Sequence, residues 1–444
     1  MASNLRYSKM DLFKIIYPLV LEQTFTMLVG MVDVLMVAAV GEVAVSGVSL
    51  VDAIGQLIIQ ILMALGTGGA VVCSQYLGKK EDETARRAAG QLLLIVLVFS
   101  VSVAIAFTFF NREILTLLYG QAEAAVLDNG ERYFRIIALS FPFLAVYTSF
   151  AALYRSMNNT KLPMIVSIAM NLINIAGNAI CIFGLHWGVE GVAVPTLISR
   201  VFACVVMAVC IQNKKNVIRI DSIDALKPKR KDIMAILSVG IPNGVESGLF
   251  NFGKIMLSSL VSTLGTAAIA GFSVAGTLVN FLYLPGNAIG HGTITVVGQC
   301  IGAGEIDQAK MYTKWLVALN YAMLAVLCSI IGFGRWYFIG FFNLSPDAAG
   351  YAAALTLSHC LAMVIWPLGF TIPYALRAGF DTTFTMLVSI GCMWLFRVGL
   401  AYFFVMVLHW DVLGVWYAMY VDWFVRAILM CLRFNNFEKR IKRI

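Results

Sequence analysis

The chain of 444 residues is 60% hydrophobic and 13% charged, with a mean hydropathy of +0.85. Soluble domains average about 25% charged residues, and a water-soluble fold of this length cannot hide so much apolar surface. The net charge of +8 sits in short loops between apolar runs and forms no basic stripe with interleaved aromatics, which argues against a nucleic-acid partner; lipid is the solvent this composition suits.

The N-terminal MASNLRYSKMDLFK lacks the architecture of a cleaved signal peptide, and the apolar run after it is long enough to stay in a membrane. A bilayer core of about 30 Å needs about 20 apolar residues per helix. Twelve runs qualify, at 15–38, 44–76, 90–110, 132–153, 163–185, 189–211, 235–262, 267–301, 313–334, 351–375, 385–408 and 412–433. They predict an all-α membrane protein with twelve transmembrane helices. The second and eighth runs are long and rich in glycine, which predicts tilting or bending. Pro18, Pro142, Pro242, Pro285, Pro367 and Pro373 interrupt spans and predict bends.

Lysine and arginine set the orientation. Of 32 such residues, 24 fall in the two termini and the even-numbered loops and four in the odd-numbered loops (Arg112, Arg132, Arg135, Arg335); the rest lie within spans. Both termini are therefore expected in the cytoplasm, which requires an even number of spans. The longest loop contains KKNVIR and KPKRK and reads as a cytoplasmic linker at 212–234, between an N-terminal lobe at 1–211 and a C-terminal lobe at 235–444.

Shifted by 224 residues, the chain aligns with itself. Pro18 meets Pro242, Glu22 meets Glu246, Gly41 meets Gly265, Gly47 meets Gly271, and Gln75 meets Gln299. A shift of 222 aligns Arg155 with Arg377, Thr160 with Thr382, and Ser167 with Ser389. Two six-helix lobes of the same membrane orientation follow. That arrangement is typical of transporters, with a substrate path expected between repeats; a channel of two fused halves is the other use of it.

Ionisable groups within spans are costly, and each is a functional candidate. These are Glu22, Asp33, Asp52, Arg200, Glu246, Lys254, Arg397, Asp422 and Arg426. Asp33 lies in LVGMVDVLMVA, and its counterpart in the repeat is Leu257, so the fold does not require an acid there. It could exchange a proton or bind Na⁺, or it could belong to a buried ion pair. Asn171, Asn174 and Asn178 recur at spacings of three and four on one face of the fifth span; such amides can coordinate a cation or bond helices together. Thr196 adds a hydroxyl from the sixth span. Glu22 and Glu246 each follow a proline by four residues, which fits either a shared structural device or carboxylates at a substrate cavity. Lys254 could stand in for a bound cation in the second half. Asp422 and Arg426 are four apart and are expected to pair. Arg397, Arg200 and Asp52 have no partner evident from spacing. The cysteines and the four histidines form no CxxC or metal-ligand pattern, and no nucleophile–base spacing or phosphate loop suggests an enzyme. GTGGA and GHGT lie inside apolar runs and read as close helix packing.

Several stretches together carry a family resemblance: MVDVLMVAAVGEVAVSGVSL, GTGGAVVCSQYLGKKEDETARRAAGQ, YRSMNNTKLPM with NLINIAGNAICIFG, GIPNGVESGLF, VVGQCIGAGEIDQAK, LRAGFDTTFTMLVSIGCMWLFRVGLAY and LGVWYAMYVDWFVRA. The chain resembles the multidrug and toxic compound extrusion family over nearly its whole length. The resemblance implies two six-helix lobes and alternating access. It also implies export of amphipathic, often cationic, organic compounds in exchange for H⁺ or Na⁺, with no cofactor. It assigns a cation site in the first lobe to Asp33, Asn174, Asn178 and Thr196. Asn178 departs from the pattern, because many members carry a second Asp there. An acid that some members carry on the tenth helix is absent from YAAALTLSHCLAMVIWPLGF. Glu22, Glu246, Asn171, Lys254 and Arg397 are the candidates for a substrate cavity. The expected setting is a monomer in a bacterial cell (inner) membrane, with small organic substrates and the bilayer as partners. The alternative is a flippase or exporter for a lipid-linked sugar or one specific metabolite.

Overall fold

Within lipid no water can satisfy backbone N–H and C=O groups, so an apolar run must close its hydrogen bonds on itself. The computed structural model, which describes residues 5–220 and 226–441, obeys this rule: every regular element among the described residues is helical. The first half contains α1 (Lys9–Val40), α2 (Glu42–Gly78), α3 (Asp82–Phe109), α4 (Asn111–Tyr119), α5 (Ala124–Ser156), α6 (Lys161–Ala179) and α7 (Glu190–Ile211). The second contains α8 (Arg230–Ser262), α9 (Thr266–Ala303), α10 (Ile306–Gly340), α11 (Pro346–Ala362), α12 (Trp366–Phe370), α13 (Ile372–Ala378), α14 (Thr382–Gly391), α15 (Leu400–Tyr402), α16 (Val412–Asn435) and α17 (Phe437–Arg440). π-Helical turns extend α6 (Ile180–Gly184) and flank α15 (Cys392–Gly399 and Phe403–Val407).

Among the described residues, eleven helices are long and apolar enough to cross a membrane, and a twelfth span results when Pro346–Ala362 and Trp366–Ala378, bent by 70° from each other, are taken as one. The bend has a local cause. Pro367 and Pro373 each stand in the first turn of a short helix, where a missing N–H is harmless. Pro18, Pro142, Pro242 and Pro285 lie inside unbroken helices. The short α4 lies between the third and fourth spans and was not expected. α1 starts at a capping box: the Ser8 side chain accepts from the Asp11 N–H at 3.2 Å, and Asp11 accepts from the Ser8 N–H at 2.9 Å.

The chain divides into two units, Tyr7–Ile241 and Pro242–Ile444 with Met1–Arg6. In the first, α2 and α5 form the principal pair, α3 packs on both, and α7 lies between α5 and α6. In the second, α9 packs on α10, α11 and α13, and α16 packs on the π-helical continuation of α14; Trp366, Trp416 and Trp423 fill its core.

The dividing point falls inside α8, and of the expected linker at 212–234 residues 221–225 lie outside the described residues. The helix after it starts at Arg230, five residues early. The polar stretch is also bonded to the first unit. Arg87 Nε meets Asp232 Oδ2 at 2.6 Å, Gln91 Nε2 donates to the Lys227 carbonyl at 2.9 Å, and Arg86 Nε donates to the Val217 carbonyl at 2.7 Å.

The internal repeat reappears in the backbone. Eight of the nine positive-φ residues among the described ones come in pairs, Asn343 (46°) standing alone: Gly41 and Gly265 (φ 129° and 94°), Lys80 and Gly304 (63° and 84°), Asn158 and Phe380 (61° and 61°), and His186 and His409 (53° and 53°). Side chains with a Cβ seldom adopt this conformation, so its recurrence at matching places means that the same turns close both halves. Helix contacts repeat too. A Cβ on Gly47 would lie 2.8 Å from the Val126 carbonyl oxygen, and one on Gly271 would lie 2.8 Å from that of Ala348.

Candidate functional site

The Asn residues at i and i+4 on α6 share one face, and the helix pairs with α7 at close range. A Cβ on Gly177 would sit 2.7 Å from Pro195 Cβ, so the backbones approach only because residue 177 is glycine. That approach brings the side chains between Gly177 and Pro195 together. Asn174 Nδ2 lies 3.0 Å from Thr196 Oγ1, and Asn178 Nδ2 donates to Asp33 Oδ1 of α1 at 3.0 Å and to Asn174 Oδ1 at 3.4 Å. With its amide turned over, Asn174 donates to both Asp33 oxygens at 3.1 and 3.0 Å and accepts from Thr196 Oγ1 at 3.0 Å. The second orientation satisfies more groups. Thr196 Oγ1 is also 2.9 Å from the Val192 carbonyl, one turn back.

The four residues expected at the cation site thus form one connected network: Asn178 and the turned-over Asn174 bond the Asp33 carboxylate, and Thr196 joins through Asn174. Asn174 and Asn178 are buried, and Asp33 and Thr196 are half-buried. The side-chain oxygens are hard donors, the kind that suit a proton or an alkali cation. Asn178 Oδ1 is buried with no donor, an acceptor that such a cation would satisfy. A single carboxylate matches a single positive charge. Among the described residues, no group of three His, Cys, Asp or Glu side chains could hold a metal ion. Asn171, one turn earlier on α6, is half-buried with its amide nitrogen unbonded; it is not bonded to the four. Gly177→Val is expected to push α6 off α7 and lower transport by about tenfold or more. Efflux assays on equal amounts of inserted protein check this.

A second cluster lies beside this one. Asp52 of α2 accepts from the Tyr133 hydroxyl of α5 at 3.1 Å, and Arg200 Nη1 of α7 donates to Ser140 Oγ of α5 at 2.6 Å. Asp52 is within electrostatic reach of both Asp33 and Arg200. Spacing alone gave Asp52 and Arg200 no partner, and it missed Tyr133 and Ser140.

Glu22 and Glu246, candidates for a substrate cavity, are held by arginines. Arg155 Nη2 meets Glu22 Oε1 at 2.7 Å, and Arg377 Nη2 meets Glu246 at 2.8 and 2.9 Å. Arg155 and Arg377 are themselves repeat partners, so both pairs are one structural device used twice. Arg397 also differs from expectation. It is only 5% exposed, and its Nε donates to Asp422 at 2.8 Å, so it does not line an open cavity. Asp422 and Arg426 pair at 3.0 Å as their spacing predicts. Lys254 is exposed. Removing one partner of a buried pair is strongly destabilising, so Arg155→Gln is expected to cost about 3 kcal/mol. The Glu22→Arg/Arg155→Glu double variant should recover part of it, as read from unfolding midpoints in detergent.

Comparison with known proteins places this geometry in context. The MatE family model matches the chain twice, at residues 18–180 and 242–403. The chain is 29% identical over 435 residues to the uncharacterized transporter YisQ of Bacillus subtilis, covering 96% of this chain and 94% of that one. It is 25% identical over 447 residues to the probable multidrug resistance protein YoeA of the same organism, covering 99% and 95%. A crystal structure of a MATE protein in the straight conformation superposes with a TM-score of 0.91 at 18% identity, covering 97% of this chain and 96% of that one.

Proposed function

Because the chain belongs to the MatE family, the multidrug and toxic compound extrusion transporters, we propose that it is a cation-coupled antiporter. In this reading it exports amphipathic organic compounds, cationic ones among them, by alternating access in exchange for H⁺ or Na⁺. It is a multi-pass membrane protein and not an enzyme. The name of YoeA supports multidrug export. The observation that carries the coupling is the network in which Asn178 and the turned-over Asn174 bond Asp33 and Thr196 bonds Asn174, with an oxygen of Asn178 left for a cation. A cation bound there neutralises a carboxylate that is otherwise half-buried in an apolar helix, and the neutral site costs less to enclose than the charged one. That difference is what lets the cation bias the equilibrium between two access states. The excess of Lys and Arg in the termini and even-numbered loops supports cytoplasmic termini in a bacterial inner membrane. The unit of transport is a single chain.

The test is efflux of a fluorescent organic cation from proteoliposomes under an imposed pH gradient or an imposed Na⁺ gradient. Transport driven by one of the two establishes antiport and names the ion. Equal efflux with and without either gradient, from folded protein, overturns the coupling.

A further inference from the structure

Five helices of the first unit pack in a chain: α1 on α6, α6 on α7, α7 on α5 and α5 on α2, with α2 touching α1 only lightly. The Asp33 network uses α1, α6 and α7. The cluster beside it joins α7 to α5 and α2. Arg200 stands four residues after Thr196, one turn further along the same face of α7. Tyr133 and Ser140 are seven apart and share a face of α5. Arg200 Nη1 donates to Ser140 Oγ at 2.6 Å, and the Tyr133 hydroxyl donates to Asp52 Oδ1 at 3.1 Å. One face of α5 therefore holds a guanidinium and a carboxylate two turns apart. Tyr133 is only 5% exposed and lies within electrostatic reach of Asp33, Asp52 and Arg200 alike. It is the point that the three charges share.

The surroundings are neutral or already paired. α6 contributes the amides of Asn174 and Asn178, and α3 carries no ionisable side chain after Arg87. Glu22 is answered by Arg155 at 2.7 Å and Arg132 by Glu190 at 3.8 Å. Arg135, two residues past Tyr133, is exposed on the other side of α5. Asp52 and Arg200 make no direct ion pair among the described residues; a hydroxyl holds each. Nor does the fold require the two acids. On the shift of 224, Asp33 and Asp52 fall opposite Leu257 and Gly276, and the second unit folds with no carboxylate at either place.

Two carboxylates against one guanidinium leave one negative charge. A monovalent cation at Asp33 makes the group neutral, whereas a divalent cation leaves it positive. An uncompensated charge is costly to enclose in a medium of low dielectric. Without Arg200 the group would carry two negative charges and would release a single cation reluctantly. Without Asp52 the guanidinium would stand unanswered near Asp33 and repel the cation that the site must load.

We propose that Arg200 and Asp52 set the charge selectivity of the Asp33 site. Arg200 is a tethered positive charge that disfavours divalent cations and lets a monovalent one leave. Asp52 offsets Arg200 so that loading still occurs. Both act through their field and need not touch the cation. Their role rests on the Asp33 network being a cation site, and a binding measurement separates the two.

The experiment follows the unfolding midpoint of the full chain in an uncharged detergent as Na⁺, H⁺ or Ca²⁺ is raised, with choline holding the ionic strength. A cation that binds the folded state raises the midpoint with its concentration. The half-saturating concentration of the response that Asp33→Asn removes is read; the baseline, which any structural change moves, is not. Wild type is expected to respond to Na⁺ or H⁺ and not to Ca²⁺. Arg200→Met should lower the half-saturating concentration of the monovalent ion by about tenfold and gain a response to Ca²⁺. Asp52→Asn should raise it by about tenfold. Arg200→Met/Asp52→Asn should bring it back towards the wild-type value, and Arg200→Lys should keep it. A value indifferent to both single substitutions, or weakened by both, overturns the proposal and leaves the cation site standing. A wild type with no response that Asp33→Asn removes overturns both. Selectivity that follows Arg200, in a protein whose efflux ignores the imposed gradients, upholds the proposal and overturns the coupling.

Discussion

Asp33→Asn is expected to abolish gradient-driven efflux, by about a hundredfold or more, while the protein still inserts and folds. The amide nearly matches the carboxylate in shape, so packing is preserved. The variant also removes a charge that is costly within a span, so stability should hold or rise. What it removes is the one negative charge of the cluster. Asn174, Asn178 and Thr196 are neutral, and none can replace that charge. A site without it has no electrostatic reason to prefer a cation-loaded state over an empty one, and a ligand that does not distinguish two states cannot shift them. The measurement is efflux from proteoliposomes under the gradient that drives wild type, with gel filtration and unfolding in detergent as controls. Retained gradient dependence in Asp33→Asn would remove the cation site from α1. Loss of folded protein would instead make Asp33 a structural residue. Thr196→Ala is the milder companion: it deletes one oxygen and leaves the charge.

How far the sequence reached depended on whether the signal was local. The spans were legible because each is a contiguous apolar run, and the repeat because offsets of 224 and 222 persist across whole halves. The Asp33 cluster was legible in part because Asn174 and Asn178 are one helical turn apart, a spacing that implies a shared face. The pairings that were missed all join distant segments. Tyr133 and Asp52 are 81 residues apart, Arg200 and Ser140 are 60 apart, and Arg397 and Asp422 are 25 apart; no periodicity encodes such distances. The Glu22–Arg155 and Glu246–Arg377 pairs had all four members in the repeat alignment, but at two different offsets, so each member looked like an isolated match. The break between α11 and α12 was hidden because both sides are equally apolar, although Pro367 and Pro373 were visible as bends. At 212–234 the polar, basic composition marks a loop without saying what the loop bonds to. Here Arg86, Arg87 and Gln91 of α3 hold it to the first unit.

Asp422→Asn should be among the most destabilising single substitutions in the second half. Asp422 is fully buried, and both of its oxygens accept from arginine. Removing its charge leaves Arg397 and Arg426 buried without a counter-ion, with Lys254 on the same Phe250 ring. Breaking a buried pair from one side costs about 3–5 kcal/mol, which corresponds to a fall of roughly 6–20 °C in the unfolding midpoint. The loss comes from repulsion among the remaining cations, so it should be partly reversed by removing one of them. Asp422→Asn/Lys254→Met should unfold at a higher temperature than Asp422→Asn alone, and Asp422→Leu/Arg397→Met/Arg426→Met should approach wild type, since apolar replacement of a whole buried ionic group is often neutral. Differential scanning fluorimetry in detergent separates the cases. If the damage came from lost packing around Asp422, Lys254→Met would add its own effect and recover nothing. Recovery would show that the cluster is held under net positive charge, with repulsion among Lys254, Arg397 and Arg426 setting the cost.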